Sequence, residues 1–264
     1  MIDLHSHILP GVDDGAPDFE ASLEMAKMAV ADGIEVMACT PHFLPGLYNN
    51  DAAHIRKLVA WLNEEFKQHN VDLALVVGGD VHIRPDLTSC LREQSVLTLH
   101  DTRYFLFEPS HISVPPRLED FLFEVQIAGY VPILTHPERL KWIEQYYDII
   151  AKLADSGVWM QITAGSLTGR FGSRSKYWAQ RLLAEGRAHI LATDAHNTKS
   201  RPPLLAEAFE IAKAELGFEE ATHLVVTRPT MVLENALPEH CPQPLTKLKP
   251  TNPTPLWRRL LMQS

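Results

Sequence analysis

The residues most able to do chemistry begin at the first strand-like run. His5 and His7 stand two apart in Asp3-Leu4-His5-Ser6-His7, and on an extended backbone such positions face the same side. Similar donors recur down the chain at the ends of short apolar runs. Asp13 and Asp14 lie in Gly11-Val12-Asp13-Asp14-Gly15, His42 closes Cys39-Thr40-Pro41-His42, and Asp80 closes Gly78-Gly79-Asp80. Glu108 follows Phe107, His136 sits in Leu134-Thr135-His136-Pro137, and Asp194 and His196 sit in Thr193-Asp194-Ala195-His196. Imidazole and carboxylate donors without a thiolate suit divalent cations of intermediate hardness such as Mn²⁺, Fe²⁺ or Zn²⁺. One ion usually takes about three or four protein donors, so this set implies two or three ions. Clustered cations point to hydrolysis, because they make a hydroxide nucleophile available near neutral pH and stabilise the attacking and leaving oxygens. Arg139, three residues past His136, and Arg201, five past His196, add bidentate binding of a phosphate.

These donors need a scaffold that gathers them. Apolar runs at Ile2–Leu4, Ile34–Cys39, Leu73–Val77, Tyr104–Phe107, Val131–Leu134, Val158–Ile162 and His189–Ala192 alternate with helical stripes. Phe19, Leu23, Ala26 and Val30 form one stripe, Ile55, Leu58, Leu62 and Phe66 a second, and Leu118, Leu122 and Val125 a third. Strands alternating with helices predict an α/β fold with parallel strands, here a seven-stranded TIM-like (β/α) barrel. Such barrels place their chemistry where the strands end, which is where the donors fall.

Composition excludes several classes. Lys and Arg number 24 against 33 Asp and Glu, a net charge of −9, so no phosphate-neutralising excess supports nucleic-acid or anionic-membrane binding. No apolar run approaches the ~18 residues of a membrane span, and Met1–His5 lacks the basic and apolar regions of a secretory signal. Cys39, Cys90 and Cys241 are too few and scattered for a disulfide framework. The expectation is a cytoplasmic protein. Cys39 ends an apolar run without a phosphate loop around it, so it reads as a core thiol. His54, His69, His82, His100, His111, His189, His223 and His240 fall outside the pattern and read as structural or surface residues. Prolines at 238, 242, 244, 250, 253 and 255 preclude regular helix, dividing the chain into a domain over 1–237 and a Pro-rich tail over 238–264. The tail reads as an extended strap or a frayed end, with its terminal Leu256-Trp257-Arg258-Arg259 stretch as an alternative docking peptide.

The motifs resemble the PHP (polymerase and histidinol phosphatase) superfamily and, within it, the bacterial metal-dependent protein-tyrosine phosphatases of capsule and exopolysaccharide clusters. The matching stretches are Asp3–Gly15, Ala38–His42, Tyr104–Glu108, Thr135–Arg139, Gly165–Gly172 and Thr193–Asn197. The resemblance implies a distorted seven-stranded barrel of the PHP fold with a trinuclear centre, Mn²⁺ being the leading metal. One ion would take His5, His7, Asp80 and Asp194; a second would share Asp80 and add Glu108 and His136; a third would use Asp14, His42 and His196. Asp80 thus becomes a catalytic bridge, with Arg139 and Arg201 holding the phosphate. The family usually carries Glu where this chain has Asp80. The implied partner is a phosphotyrosine protein, the tail of an autophosphorylating tyrosine kinase that regulates polysaccharide export. Alternatives are a phosphatase of small alkyl phosphates such as histidinol phosphate, an amidohydrolase, and a catalytically silent scaffold. Two nearby features bear on substrate choice. The Phe43–Asn50 loop is placed to cover a phosphoryl group, and Arg170, Arg174, Lys176 and Arg181 form a basic cluster able to steer an acidic tail.

Overall fold

The computed structural model of the protein describes residues 1–247. The Pro-rich segment from 248 onward, including the terminal basic and apolar peptide, lies outside the described residues. The fold is α/β, and every pair of neighbouring strands in its sheets is parallel. Among the described residues the strands are β1 (Ile2–Ser6), β2 (Val36–Cys39), β3 (His42–Phe43), β4 (Ala74–Val77), β5 (Asp80–His82), β6 (Tyr104–Glu108), β7 (Val131–Thr135), β8 (Trp159–Thr163) and β9 (Ile190–Ala192).

These strands form two sheets, β1-β2-β4 and β3-β5-β6-β7-β8-β9, instead of one sheet of seven. The division has a local cause. Pro41 interrupts β2/β3 and has no N–H to give to the ladder. Gly78 and Gly79 interrupt β4/β5, where a Cβ would come within 2.9 Å of Thr40 Cγ2 and 2.8 Å of Phe43. Across this break the Asp80 N–H still donates to the Pro41 carbonyl at 3.1 Å. The far edges also meet: Ser6 bridges Ala195 in parallel sense, and the His7 and Asp194 N–H groups donate to the carbonyls of Ala195 and His5, each at 2.8 Å.

Side chains alternate across the strands. Tyr104 and Leu106 of β6 pack with Leu4, Ile133 and Trp159 in one apolar cluster, whereas Phe105 and Phe107 pack with Leu134 and Met160 in another. The second cluster joins the sheets to helices such as Ala52–Gln68, which buries Ile55, Val59, Leu62 and Phe66. Burying one such side chain contributes roughly 1.5–3 kcal/mol. Asp51 caps that helix, its carboxylate accepting the His54 N–H, and Asp18 caps helix Phe19–Ala31 by accepting the Ala21 N–H.

At the N-terminal ends of the strands, Val232 and Cys241 join the first cluster. The Tyr104 hydroxyl donates to the Ala236 carbonyl at 2.9 Å. Residues 238–247 then return along the body, and the Lys247 N–H donates to the Ala184 carbonyl at 3.0 Å. The opposite ends of the strands are left for chemistry.

Candidate metal centre

The alternation that sends Phe105 and Phe107 outward leaves Glu108 on the inner face of β6. Asp80 and His82 share the inner face of β5, with Val81 buried in the outer layer. Two further donors leave their strands by a turn in the backbone: His136 (φ 35°) just after β7 and Asp194 (φ 52°) just after β9. Left-handed backbone at a non-glycine residue costs of order 1–3 kcal/mol, which the surrounding strands must offset.

The nine donors chosen from sequence converge. His5 Nε2 lies 3.3 Å from Asp194 Oδ1 and 3.7 Å from Asp80 Oδ2, and His7 Nε2 lies 3.4 Å from the same Asp194 oxygen. His42 Nδ1 is 3.2 Å from Asp80 Oδ2. His42 Nε2 and His196 Nε2 reach Asp14 Oδ1 at 3.5 and 3.4 Å, and His136 Nε2 is 3.5 Å from Glu108 Oε1. Groups able to hold a metal include His7, Asp14, His42 and His196, and separately His5, His7 and Asp80.

The far nitrogens of several rings are already engaged, which fixes the ring that faces the cluster. His7 Nδ1 pairs with Asp13 Oδ2 at 2.7 Å, His5 Nδ1 with Gln161 Oε1 at 2.9 Å, and His196 Nδ1 with the Asp194 carbonyl at 3.0 Å. Asp13 also accepts the Gly15 and His42 N–H groups. Beneath the cluster Asp3 accepts the N–H of His5 and both the N–H and hydroxyl of Thr193. The roles of Asp3 and Gln161 escaped the sequence reading, since neither falls at a strand end.

Two histidines set aside as structural or surface residues belong to this site. His82 joins a group with His42, Asp80 and Glu108, and His111 one with Glu108 and His136. The signal for His82 was its i+2 spacing from Asp80, the same spacing that marks His5 and His7. His111, in the turn three residues past Glu108, has no comparable sequence signature.

The electrostatics are those of a donor set awaiting positive charge. Burial, reinforced by Glu108, pushes the Asp80 carboxyl well above the usual range. Burial lowers His5 to about 4 and, with Arg139 beside it, holds His136 well below an ordinary histidine. Against burial, the Asp13 and Asp194 carboxylates raise His7 to about 10. Both Asp80 oxygens, Glu108 Oε2, His136 Nδ1 and His196 Nε2 are buried without a hydrogen-bond partner. Leaving buried polar atoms unpaired costs about 1–3 kcal/mol each, and divalent cations are the group that this mixture of imidazole and carboxylate fits.

At one edge both arginines meet Asp194. Arg139 Nη1 donates to Asp194 Oδ2, and Arg201 Nη2 donates to the same oxygen at 2.5 Å. The Arg139 guanidinium lies 4.4 Å over the Phe171 ring. Gly165 makes room for that ring, since a Cβ there would come 2.8 Å from Phe171 Cε2. On the other side Tyr48 stacks on His42, ring centres 5.5 Å apart, which sets the Phe43–Asn50 loop beside the donors. The basic cluster is partly neutralised: Arg174 pairs with Glu144 at 2.9 Å and Arg181 with Glu185 at 2.8 Å. Cys39 is fully buried in the outer layer, and burial pushes its thiol up, as suits a core residue.

An α/β fold of parallel strands with a multi-histidine, multi-carboxylate centre defines the broad class. The particular family follows from comparison: the family described as Capsular polysaccharide synthesis, CpsB/CapC, matches residues 1–234, and this chain belongs to it. Tyrosine-protein phosphatase YwqE of Bacillus subtilis is 34% identical over 249 residues, covering 94% of this chain and 98% of YwqE. Tyrosine-protein phosphatase CpsB of Streptococcus pneumoniae is 28% identical over 242 residues, covering 90% and 100%. A crystal structure from work on YwqE and CpsB, described as unique metal-dependent tyrosine phosphatases, superposes with a TM-score of 0.86 at 35% identity, covering 93% of this chain and 100% of that one. The lactonase Lmo2620 of Listeria monocytogenes shares the fold alone, with a TM-score of 0.54 at 12% identity.

Proposed function

We propose that this chain is a metal-dependent protein-tyrosine phosphatase. The observation that carries the reading is the meeting of Arg139 and Arg201 on Asp194 Oδ2, a paired guanidinium site directly beside the donor cluster. His5, His7, Asp80 and Asp194 would hold one ion, Asp80, Glu108 and His136 a second, and Asp14, His42 and His196 a third. Mn²⁺ leads, with Fe²⁺ or Zn²⁺ as the other suitable metals. When bound, the cations supply Lewis acidity and lower the pKa of water toward neutrality.

The chain's own residues do the rest. Arg139 and Arg201 bind the phosphoryl oxygens bidentately, with Phe171 holding the Arg139 guanidinium flat. Asp13 and Gln161 keep the His7 and His5 imidazoles turned toward the cluster. A phenol leaves with a pKa near ~10, so phosphotyrosine needs less proton donation than an alkyl phosphate. The names of the relatives support a protein substrate, and the family description supports a role in capsular polysaccharide synthesis, with a tyrosine-kinase tail as partner. No helix among the described residues is long and apolar enough to cross a membrane, which fits the proposed cytoplasmic site of action.

The scaffold reading is that β2 with β3 and β4 with β5 are two interrupted strands, which makes a distorted seven-stranded PHP barrel over residues 1–237. Residues 238–247 then act as a strap on that barrel, held through Cys241, the Pro242 carbonyl and Lys247. The experiment is phosphate release from a phosphotyrosine peptide beside an alkyl phosphate, using protein reconstituted with Mn²⁺, Fe²⁺ or Zn²⁺. Metal-dependent release from the peptide, absent in His136→Ala, is the expected result. Preference for the alkyl phosphate would reassign the substrate class, and no release with any metal would overturn the enzyme.

A further inference from the structure

We propose that His82 and His111 are metal ligands in their own right, completing an imidazole-rich cage around Glu108 that raises the affinity of this half of the centre for Zn²⁺ more than for Mn²⁺. The inference rests on the metal-centre reading above and goes beyond the donors that reading uses.

The Glu108 carboxylate has two imidazole nitrogens near each oxygen. Oε1 lies 2.7 Å from His111 Nε2 and 3.5 Å from His136 Nε2. Oε2 lies 2.9 Å from His82 Nε2 and 3.4 Å from His42 Nδ1. Despite that 2.9 Å approach, Glu108 Oε2 makes no hydrogen bond, and neither Asp80 oxygen makes one although His42 Nδ1 is 3.2 Å away. On the Oε2 side, close nitrogen and oxygen atoms that do not share a proton leave their lone pairs free for an ion. On the Oε1 side His111 Nε2 hydrogen-bonds Glu108 at 2.7 Å, and His111, His136 and Glu108 still offer three donor atoms near enough to one another to hold one ion.

Both histidines are held in place by the fold. His82 is the strand partner of Glu108, and Asp80 lies two residues before it on the same face. Parallel pairing therefore puts the His82 imidazole and the Glu108 carboxylate side by side. His111 follows β6 in a turn tied down twice: Trp142 Nε1 donates to the Ser110 carbonyl at 2.8 Å, and the Lys141 N–H donates to the His111 carbonyl at 2.9 Å. Its ring centre is 4.9 Å from that of His136. A surface histidine needs no such anchoring of its backbone.

The added nitrogens change the chemistry of this half of the centre. Mn²⁺ stands low in the affinity order for nitrogen donors and Zn²⁺ much higher, so each imidazole widens the gap between them. A histidine that merely hydrogen-bonds a ligating carboxylate would instead strengthen the site for both metals together.

The test is equilibrium metal competition against a chelator, on the full chain and on His82→Gln, His111→Gln, the double variant and His136→Ala. Circular dichroism verifies the fold of each. The double variant is expected to lose Zn²⁺ affinity by ~100-fold and Mn²⁺ affinity by less than ~10-fold, so their ratio falls at least ~10-fold. X-ray absorption at the zinc edge should show fewer nitrogen neighbours in the double variant. An unchanged ratio with an unchanged nitrogen count would overturn the proposal. Undiminished metal binding by His136→Ala would instead overturn the metal reading of the Glu108–His136 position, a result separable from the first.

Discussion

The two ends of the strands bury charge in opposite ways. At the N-terminal ends Arg228 is fully buried, and each of its three guanidinium nitrogens makes a hydrogen bond. Nε donates to the Pro242 carbonyl at 2.7 Å, Nη1 to the His189 carbonyl at 3.3 Å and Nη2 to Glu220 at 2.8 Å. His189, stacked on Trp159, accepts the Met160 N–H through Nδ1. At the C-terminal ends the buried Asp80, Glu108, His136 and His196 leave atoms unpartnered. A buried group whose partners are all protein belongs to the fold; one left short of partners is placed for something that arrives later. The lesson is that burial alone does not separate structural charge from functional charge, while hydrogen-bond completeness does.

This contrast breaks most sharply at Arg228. Arg228→Met strands the buried Glu220 carboxylate and should cost about 3–5 kcal/mol of stability, read from denaturant midpoints, while kcat/KM of the folded protein stays near wild type. A loss below ~1 kcal/mol would mean the two ends do not differ in kind. Next in size, Arg201→Ala should lower kcat on a phosphotyrosine peptide by ~10²–10³ and hardly move the unfolding midpoint. A large fall in stability with intact turnover would reverse the assignment of that end.

A third comparison loads the metal. A single site at about 100 times its Kd adds ~2.7 kcal/mol, and Arg228→Met should gain as much from metal as wild type does, because its defect lies at the other end. Asp194→Asn should gain less. Equal gains in all three would detach the donors from the ion.

The smallest effect concerns pH. Burial, reinforced by Arg228, lowers His189 to about 3, so below about pH 6.5 the unfolded chain takes up this proton before the folded one. Its contribution is complete above pH 6.5 and declines as pH falls, by ~1.4 kcal/mol per unit. Between pH 7 and 5 the wild type should lose about 2 kcal/mol that His189→Gln does not. Parallel pH profiles for the two proteins would exclude His189 as the source.

The site was more legible than the sheet that carries it. Strand-end donors are visible because alternation and barrel geometry turn sequence position into a place in space; the eight found that way lie together, joined by Asp14, which the family resemblance alone singled out from Asp13. The division into two sheets was not visible: it depends on Gly78 and Gly79 lying against Thr40 and Phe43, contacts between distant parts of the chain. His111 was missed for a related reason, since a turn residue has no periodic face to announce its direction. His82 was missed although its spacing from Asp80 repeated that of His7 from His5. Arg174 and Arg181 looked like free surface charge, because carboxylates 30 and 4 residues away that pair with them are only two among many in a sequence.

Because Phe107 and Glu108 are neighbours on opposite faces of β6, a shift of one residue in its pairing with β5 or β7 would exchange a carboxylate for a phenyl ring inside the centre. The same slip in β5 would replace Asp80 and His82 by Gly79 and Val81. Misregistered chains therefore cannot assemble the donor cluster, whatever apolar surface they bury. The register that buries the apolar clusters is thus also the one that assembles the donors, so a cation held by them would favour that alignment over its neighbours.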